Sequence, residues 1–119
     1  MVFMKFDKKN KVEILVVGTD DFHALFNDFE SNIRCIKSLK SIFPSLYMFC
    51  PAVVIVEYEH FKSAFDYYLM RIRANKYYDK LKVYCCINEP DESLLEYLRT
   101  FRSQTILSSE VNQQRLRLF

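Results

Sequence analysis

The residues best placed to do chemistry are three carboxylates, Asp20, Asp21 and Glu57, each standing just past a short apolar run. Asp20 and Asp21 follow Val12-Glu-Ile-Leu-Val-Val17 and a Gly18-Thr19 step, and Glu57 closes Pro51-Ala-Val-Val-Ile-Val56. Carboxylates gathered from separate segments can hold Mg²⁺, which takes oxygen ligands in near-octahedral geometry. A carboxylate can also accept a phosphoryl group or act as a fixed charge. Other chemistry has little to work with. GxGxxG, GxxxxGK[ST] and GxSxG are absent, and Gly18 is the one glycine of the chain, too few for a phosphate-cradling loop. His23 and His60 have no recognisable nucleophile beside them and read as ordinary helix residues, His60 being the nearer to Glu57 in sequence. Cys35, Cys50, Cys85 and Cys86 show no CxxC spacing and read as buried free thiols rather than zinc ligands.

The elements that must position these groups follow from periodicity. Residues 1–10 read as a loose lead-in, and Lys5, Lys8, Lys9 and Lys11 make a basic cluster near the N-terminus that reads as solvated. Val12 to Val17 is a β-branched, nearly continuous apolar run and predicts a buried strand. Asp20 or Asp21 is suited to cap a helix whose stripe runs Phe22, Leu25, Phe26, Phe29 and Ile33. Arg34 to Leu39 predicts a more exposed strand, and Ser41 to Cys50 a short helix after Pro44. Ala52 to Val56 is apolar throughout, so both faces are covered and the strand is central.

A long helix over 59–74 follows, with Phe61, Ala64, Phe65, Tyr68, Leu69 and Ile72 on one stripe. Leu81 to Ile87 is a fourth strand, on which Cys85 and Cys86 face opposite ways. Asn88-Glu-Pro-Asp-Glu92 opens another helix, with Pro90 suited to its first position and Leu94, Leu95, Leu98 and Phe101 buried. Thr105 to Leu107 is a short fifth strand, and Ser109 is suited to cap a last helix over Glu110 to Phe119.

Strands alternating with helices in this way predict an α/β fold. It is a three-layer α/β/α sandwich around a five-stranded parallel sheet, doubly wound in the flavodoxin-like order 2-1-3-4-5. In that order strands one and three are neighbours. Asp20, Asp21 and Glu57 then gather at the C-terminal edge of the sheet, where open α/β sheets place their sites.

The size, 119 residues, fits one domain. A formal charge of +2 gives no strong pull toward nucleic acid or anionic membrane. No apolar run approaches the ~20 residues of a membrane span, and the first residues lack signal-peptide layout. The reading is a cytoplasmic protein with no membrane or nucleic-acid partner. Its Phe and Tyr stripes are expected to serve core packing rather than base stacking.

Pro51-Ala-Val-Val-Ile-Val-Glu57, the helix ending Ile72-Arg73-Ala74, and Leu81-Lys-Val-Tyr-Cys-Cys-Ile87 resemble the receiver (CheY-like) domain of bacterial two-component response regulators. The resemblance covers about residues 12–112. It implies that Glu57 occupies the phosphoacceptor position, where the family has Asp. Gly18 and Thr19 fall where the family has its Mg²⁺-holding acidic pair, and Asp20 and Asp21 come two residues late. Ile87 falls where a Thr or Ser would bind the phosphoryl group, and Ser108 or Ser109 where a Lys would pair with it.

The resemblance therefore implies a degenerate pseudo-receiver. It would be a stand-alone signalling module, not an enzyme, that acts by phosphorylation-independent protein–protein interaction and needs no cofactor. In such domains the surface formed by the helix after strand four, strand five and the helix after it is a common partner or homodimer face. Here that surface includes Tyr97, Arg99, Arg102, Arg115 and Arg117. The alternative is an atypical single-domain response regulator in a phosphorelay, using Glu57 with Mg²⁺ held by Asp20 or Asp21. A flavin- or nucleotide-binding protein of flavodoxin-like shape is a third reading. Against it, Gly18-Thr-Asp-Asp21 puts negative charge where a phosphate would sit.

Overall fold

The computed structural model describes residues 12–27 and 32–112. The strands are β1 (Glu13–Val17), β2 (Asn32–Ile36), β3 (Val53–Glu57), β4 (Lys82–Ile87) and β5 (Ser103–Leu107). All pair in parallel, in the order β2-β1-β3-β4-β5. The helices are α1 (Asp20–Ala24), α2 (Ile42–Phe49), α3 (Tyr58–Phe61), α4 (Ser63–Ala74), α5 (Glu92–Thr100) and α6 (Ser108–Asn112). Short 3₁₀ turns precede α2 at Leu39–Ser41 and follow α4 at Lys76–Tyr78. This is the expected doubly wound α/β topology, with strands and helices alternating.

Strand alternation divides the interior into two cores. Leu15, Val17, Val54, Val56, Val83, Cys85 and Ile87 face α2, α4 and α5, which contribute Ile42 and Leu46, then Phe65, Leu69 and Ile72, then Leu98. Ile14, Val16, Val53, Ile55, Tyr84 and Cys86 face the other way, toward Phe22 and Phe26 beyond β1 and Val111 of α6. Cys85 and Cys86 thus sit back to back, both buried. Cys35 and Cys50 are exposed, against the expectation that all four thiols are buried. Cys35 lies on β2, which among the described residues is an edge strand paired with β1, and Cys50 ends α2 in the left-handed region, at φ 47°.

Several boundaries differ from the expected ones. The helix stripe from Phe22 to Ile33 stops early: α1 proper ends at Ala24, and turn hydrogen bonds carry the chain to Asn27. Phe29 lies outside the described residues. Ile33 belongs to β2, paired with Ile14, so strand pairing overrides a helical spacing that the residue happens to satisfy. β2 accordingly starts two residues before Arg34 and ends at Ile36 rather than Leu39. α2 begins at Ile42 and includes Pro44. Proline is tolerated there because the N–H groups of a helix's first turn have no intrahelical partner.

The long helix over 59–74 is broken at Lys62, whose φ is 50° and ψ −131°. Pro90 precedes the first turn of α5 rather than opening it. Asp91 is the cap, and its Oδ1 accepts the Leu94 N–H at 3.1 Å. β5 starts two residues before Thr105, straight after Arg102, which turns the chain at φ 55°. α6 starts at Ser108, not after a Ser109 cap, and the Glu110 carboxylate reaches back to accept the Leu107 N–H at 2.8 Å. The lead-in 1–10, the basic cluster from Lys5 to Lys11 and the end of the expected last helix lie outside the described residues. No helix among the described residues is long and apolar enough to cross a membrane.

Candidate functional site

The C-terminal edge of the sheet brings β1 and β3 side by side, Val17 paired with Val56. Glu57, one residue further, leans toward the loop after β1. Its Oε1 accepts two hydrogen bonds from Thr19, one from the backbone N–H at 2.8 Å and one from the hydroxyl at 3.0 Å. The Thr19 hydroxyl in turn accepts the Phe22 N–H at 3.3 Å and caps α1. Capping therefore falls to Thr19, not to Asp20 or Asp21, because a cap must precede the helix and α1 already begins at Asp20.

Gly18 is the residue that lets this contact form. A Cβ there would stand 2.7 Å from Glu57 Oε1, 2.7 Å from the Phe22 ring and 2.9 Å from Glu57 Cβ, distances real methyl carbons do not keep. The loop is held from its other side by β2. The Ile36 carbonyl accepts the Gly18 N–H at 3.0 Å and the His23 Nε2–H at 3.1 Å. A carbonyl cannot donate, so His23 carries its proton on Nε2. His23, which reads in the sequence as an ordinary helix residue, joins α1 to the end of β2.

The two aspartates do not meet Glu57 at a common point. Both are exposed. Asp20 pairs with Lys37 at 3.1 Å, and its other oxygen is 4.0 Å from His23 Nδ1. Among the described residues no group of three or more His, Cys, Asp or Glu side chains is arranged to hold a metal ion.

The remaining loops at this edge are tied in series. Glu59 accepts the Asn88 N–H at 3.2 Å. Ser108 donates to the Asn88 side-chain oxygen at 2.8 Å and lies 3.3 Å from the Ile87 carbonyl. Ile87 itself is buried in the core and offers no side-chain hydrogen bond. Cys86, which pairs in register with Glu57, is a thiol pushed up from its usual range, first by burial and further by the Glu57 carboxylate, against a lowering contact from Ser108. A thiol raised from that range stays protonated at neutral pH. His60 is exposed and packs edge-on against Phe61 at 4.7 Å.

Gly18, Thr19 and Glu57 are thus brought together, while Asp20 and Asp21 stand outside them. Ile87 and Ser108 belong to the neighbouring loops. Sequence reasoning missed Thr19 as the partner of Glu57, and Glu59 and Asn88 as the next tie. A glycine followed by a hydroxyl residue directly after a buried strand is the signal that could have found the first. The second pairs an acid with a backbone N–H across 29 positions, and no local pattern carries it.

On the expected partner face, Tyr97 is partly exposed and stacks edge-on against Phe101 at 5.5 Å. Arg99 pairs with Glu96 at 2.7 Å and Arg102 with Asp79 at 3.3 Å. Arg115 and Arg117 lie outside the described residues. Comparison with family models, with curated proteins and with solved structures finds no match to this chain.

Proposed function

We propose that the chain is a degenerate receiver-like signalling module that works by protein–protein interaction and not by phosphotransfer. The observation that carries this reading is the double hydrogen bond from Thr19 to Glu57 Oε1. In a working receiver the acid at this position must be free to attack a phosphodonor beside a bound Mg²⁺. Here one carboxylate oxygen is already committed to the loop that would have to supply the metal ligands. A metal or phosphoryl group at that oxygen has to break both bonds and move a loop that β2 also holds.

Three further features support the reading. Asp20 is drawn outward to Lys37. Ile87 has no hydroxyl to offer an incoming phosphoryl group, and Ser108 carries no positive charge to pair with it. Glu57 is then a permanent charge that keeps the β1–α1 loop in one arrangement, as a phosphorylated acid would be expected to do only transiently.

The test is direct. The protein is incubated with Mg²⁺ and a small-molecule phosphodonor and weighed intact, and its amide NMR spectrum is recorded with Mg²⁺ and then beryllofluoride. The reading expects no phosphoryl mass gain and unmoved signals for Gly18, Thr19 and Glu57. A phosphoryl adduct on Glu57, or shifts spreading from those residues to Ile87, would overturn it in favour of the Mg²⁺-dependent phosphorelay protein.

A further inference from the structure

The large apolar side chains that the described residues leave exposed all lie on one side of the sheet. Tyr47 and Met48 are on α2, Tyr67 and Met70 on α4, Tyr77 on the turn after it, and Tyr97 on α5. Tyr47 and Tyr77 are 75% and 73% exposed. They flank a continuous aromatic surface. Phe43 of α2 lies 6.2 Å from Tyr68 of α4 and 6.2 Å from Tyr78 of the following turn. Tyr67 meets Tyr68 edge-on at 5.5 Å, and Tyr77 meets Tyr78 edge-on at 5.2 Å. The Arg71 guanidinium sits over two of these rings, 4.8 Å from Phe43 and 5.6 Å from Tyr67. Beside the surface, where α2 ends and β4 begins, is a cavity of about 290 Å³ lined by Leu46, Cys50, Pro51, Tyr77, Tyr78 and Lys80, among others.

The charge around this surface is mainly positive. From Tyr67 to Lys82 the chain carries Arg71, Arg73, Lys76, Lys80 and Lys82 against a single acid, Asp79, and Leu39 to Ala52 adds Lys40 and no acid. The Asp79 carboxylate is already engaged by Arg102. Among the described residues Arg71, Lys76 and Lys80 form no ion pair. An arginine stacked on rings is held in one orientation and keeps its planar N–H edge for a carboxylate. Exposed tyrosines around such an arginine have the composition of an interface hot spot.

We propose that the α2–α4 face is a docking surface for an acidic protein segment that also carries large apolar side chains. The apolar side chains would cover Tyr47, Tyr67 and Tyr77, and the carboxylates would meet Arg71, Lys76 and Lys80. Complementary charge of this kind speeds encounter and selects the partner. Single-stranded nucleic acid fits less well, because bases need open ring faces. Arg71 occupies the faces of Phe43 and Tyr67, and Tyr67 and Tyr77 each meet the next tyrosine edge-on. The inference rests on reading the chain as a binding module, and it uses a surface separate from the Glu57 loops. Beryllofluoride at Glu57 and binding at Arg71 therefore fail or succeed independently.

The experiment is a selection from a displayed random-peptide library on the intact protein, with Arg71→Glu as a parallel target. A short oligothymidine is titrated into both proteins. The expected result is enrichment of peptides combining acids with Phe, Leu or Trp. Synthesised, these should bind at least about tenfold more weakly to Arg71→Glu and to Tyr47→Ser and shift the amides of Tyr47, Tyr67, Arg71 and Tyr77. Both substituted side chains are exposed, so both variants should stay folded, Tyr47→Ser with an unchanged thermal melt and Arg71→Glu with a melt lowered only by the lost ring contacts. No enriched sequence, a neutral or basic consensus, or peptides that bind wild type and Arg71→Glu equally would overturn the proposal. So would tighter binding of the oligothymidine than of any selected peptide at the same residues.

Discussion

The carboxylate of Glu57 and the backbone N–H of Thr19 stand 2.8 Å apart although 38 positions separate them in the chain. This bond joins the ends of the two neighbouring strands β1 and β3, and the adjoining Gly18 is the residue that leaves room for it. Replacing Glu57 by Ala leaves the Thr19 N–H and hydroxyl without their acceptor and is expected to cost about 1–3 kcal/mol. Glu57→Gln keeps an acceptor oxygen and should cost less. Thr19→Val removes the hydroxyl and the cap, for about 1 kcal/mol. Urea denaturation of the single and double variants checks the pair: the double should be less damaging than the sum. Simple additivity would mean that the bond from the Thr19 hydroxyl to the carboxylate contributes nothing.

Gly18→Ala pushes a methyl into Glu57 and the Phe22 ring. We expect a loss of about 1–3 kcal/mol from overpacking, with the amide signals of Thr19 and Phe22 displaced. An Ala variant as stable as wild type would show that Glu57 moves aside freely and that the loop is not held as described.

Lys62 stands in a backbone region that favours glycine, at φ 50° and ψ −131°, where α3 ends and α4 begins. Its side chain is exposed. Lys62→Gly should therefore stabilise the fold, by about 1 kcal/mol, because the relief of strain exceeds the added freedom of the unfolded chain. A raised melting temperature is the expected readout, and a lowered one would count against the strained turn.

Arg73 is half-buried and spends its guanidinium on backbone carbonyls. Nε donates to Phe101 at 2.8 Å, Nη2 to Arg102 at 3.1 Å and Nη1 to Tyr78 at 3.3 Å. It fastens the turn before β5 to the turn before β4. Lysine has no planar fork, so Arg73→Lys should lose about 1–3 kcal/mol. Hydrogen exchange should quicken first at Arg102 and Ser103. Uniform exchange with unchanged stability would reduce Arg73 to a surface residue.

High pH should destabilise the protein in a defined order. Burial pushes the Cys85 thiol from 9.0 up to about 12. The Tyr58 hydroxyl is raised above its ordinary 10.0, first by burial and then by its hydrogen bond to Asp66. The unfolded chain releases these protons at the ordinary values while the folded chain keeps them. The contribution is therefore intact below about pH 9 and is lost as pH rises toward the folded values, by at most about 1.4 kcal/mol per pH unit for each group. Denaturation between pH 8 and 11 should show this slope, and Tyr58→Phe should flatten its upper part. A slope unaffected by Tyr58→Phe would exclude that hydroxyl as a cause.

The sheet order was legible because β1, β3 and β4 are β-branched or apolar along nearly their whole length, and only central parallel strands read that way. Edge elements were less legible. Ile33 satisfies the spacing of a helix stripe and of a strand equally, and its pairing with Ile14 decides between them, a fact that lies 19 positions away. The break at Lys62 was invisible because no glycine marks it. At the site, Glu57 was located correctly by the end of its apolar run, yet Thr19 read only as a missing acid. The pattern records which residue replaces which. It does not record that a longer side chain at one position and a glycine at another allow a new bond between the strands. The aromatic stripes were expected to be core, and Phe65 is. Tyr47, Tyr67 and Tyr77, which belong to none of the expected core stripes, are exposed.

The alternation of β4 has a consequence for inheritance. Cys85 and Cys86 are adjacent in the chain, yet each packs in a different core, and the two cores have no side chain in common. Changes in one can be compensated by neighbours on the same side without consulting the other, and effects across the sheet should combine additively while those within one side couple. Each side can then wander through sequence space on its own schedule, with the hydrogen-bonded strands as the shared, side-chain-blind frame. A lineage built this way can keep its strand order long after its residues have ceased to resemble those of its relatives.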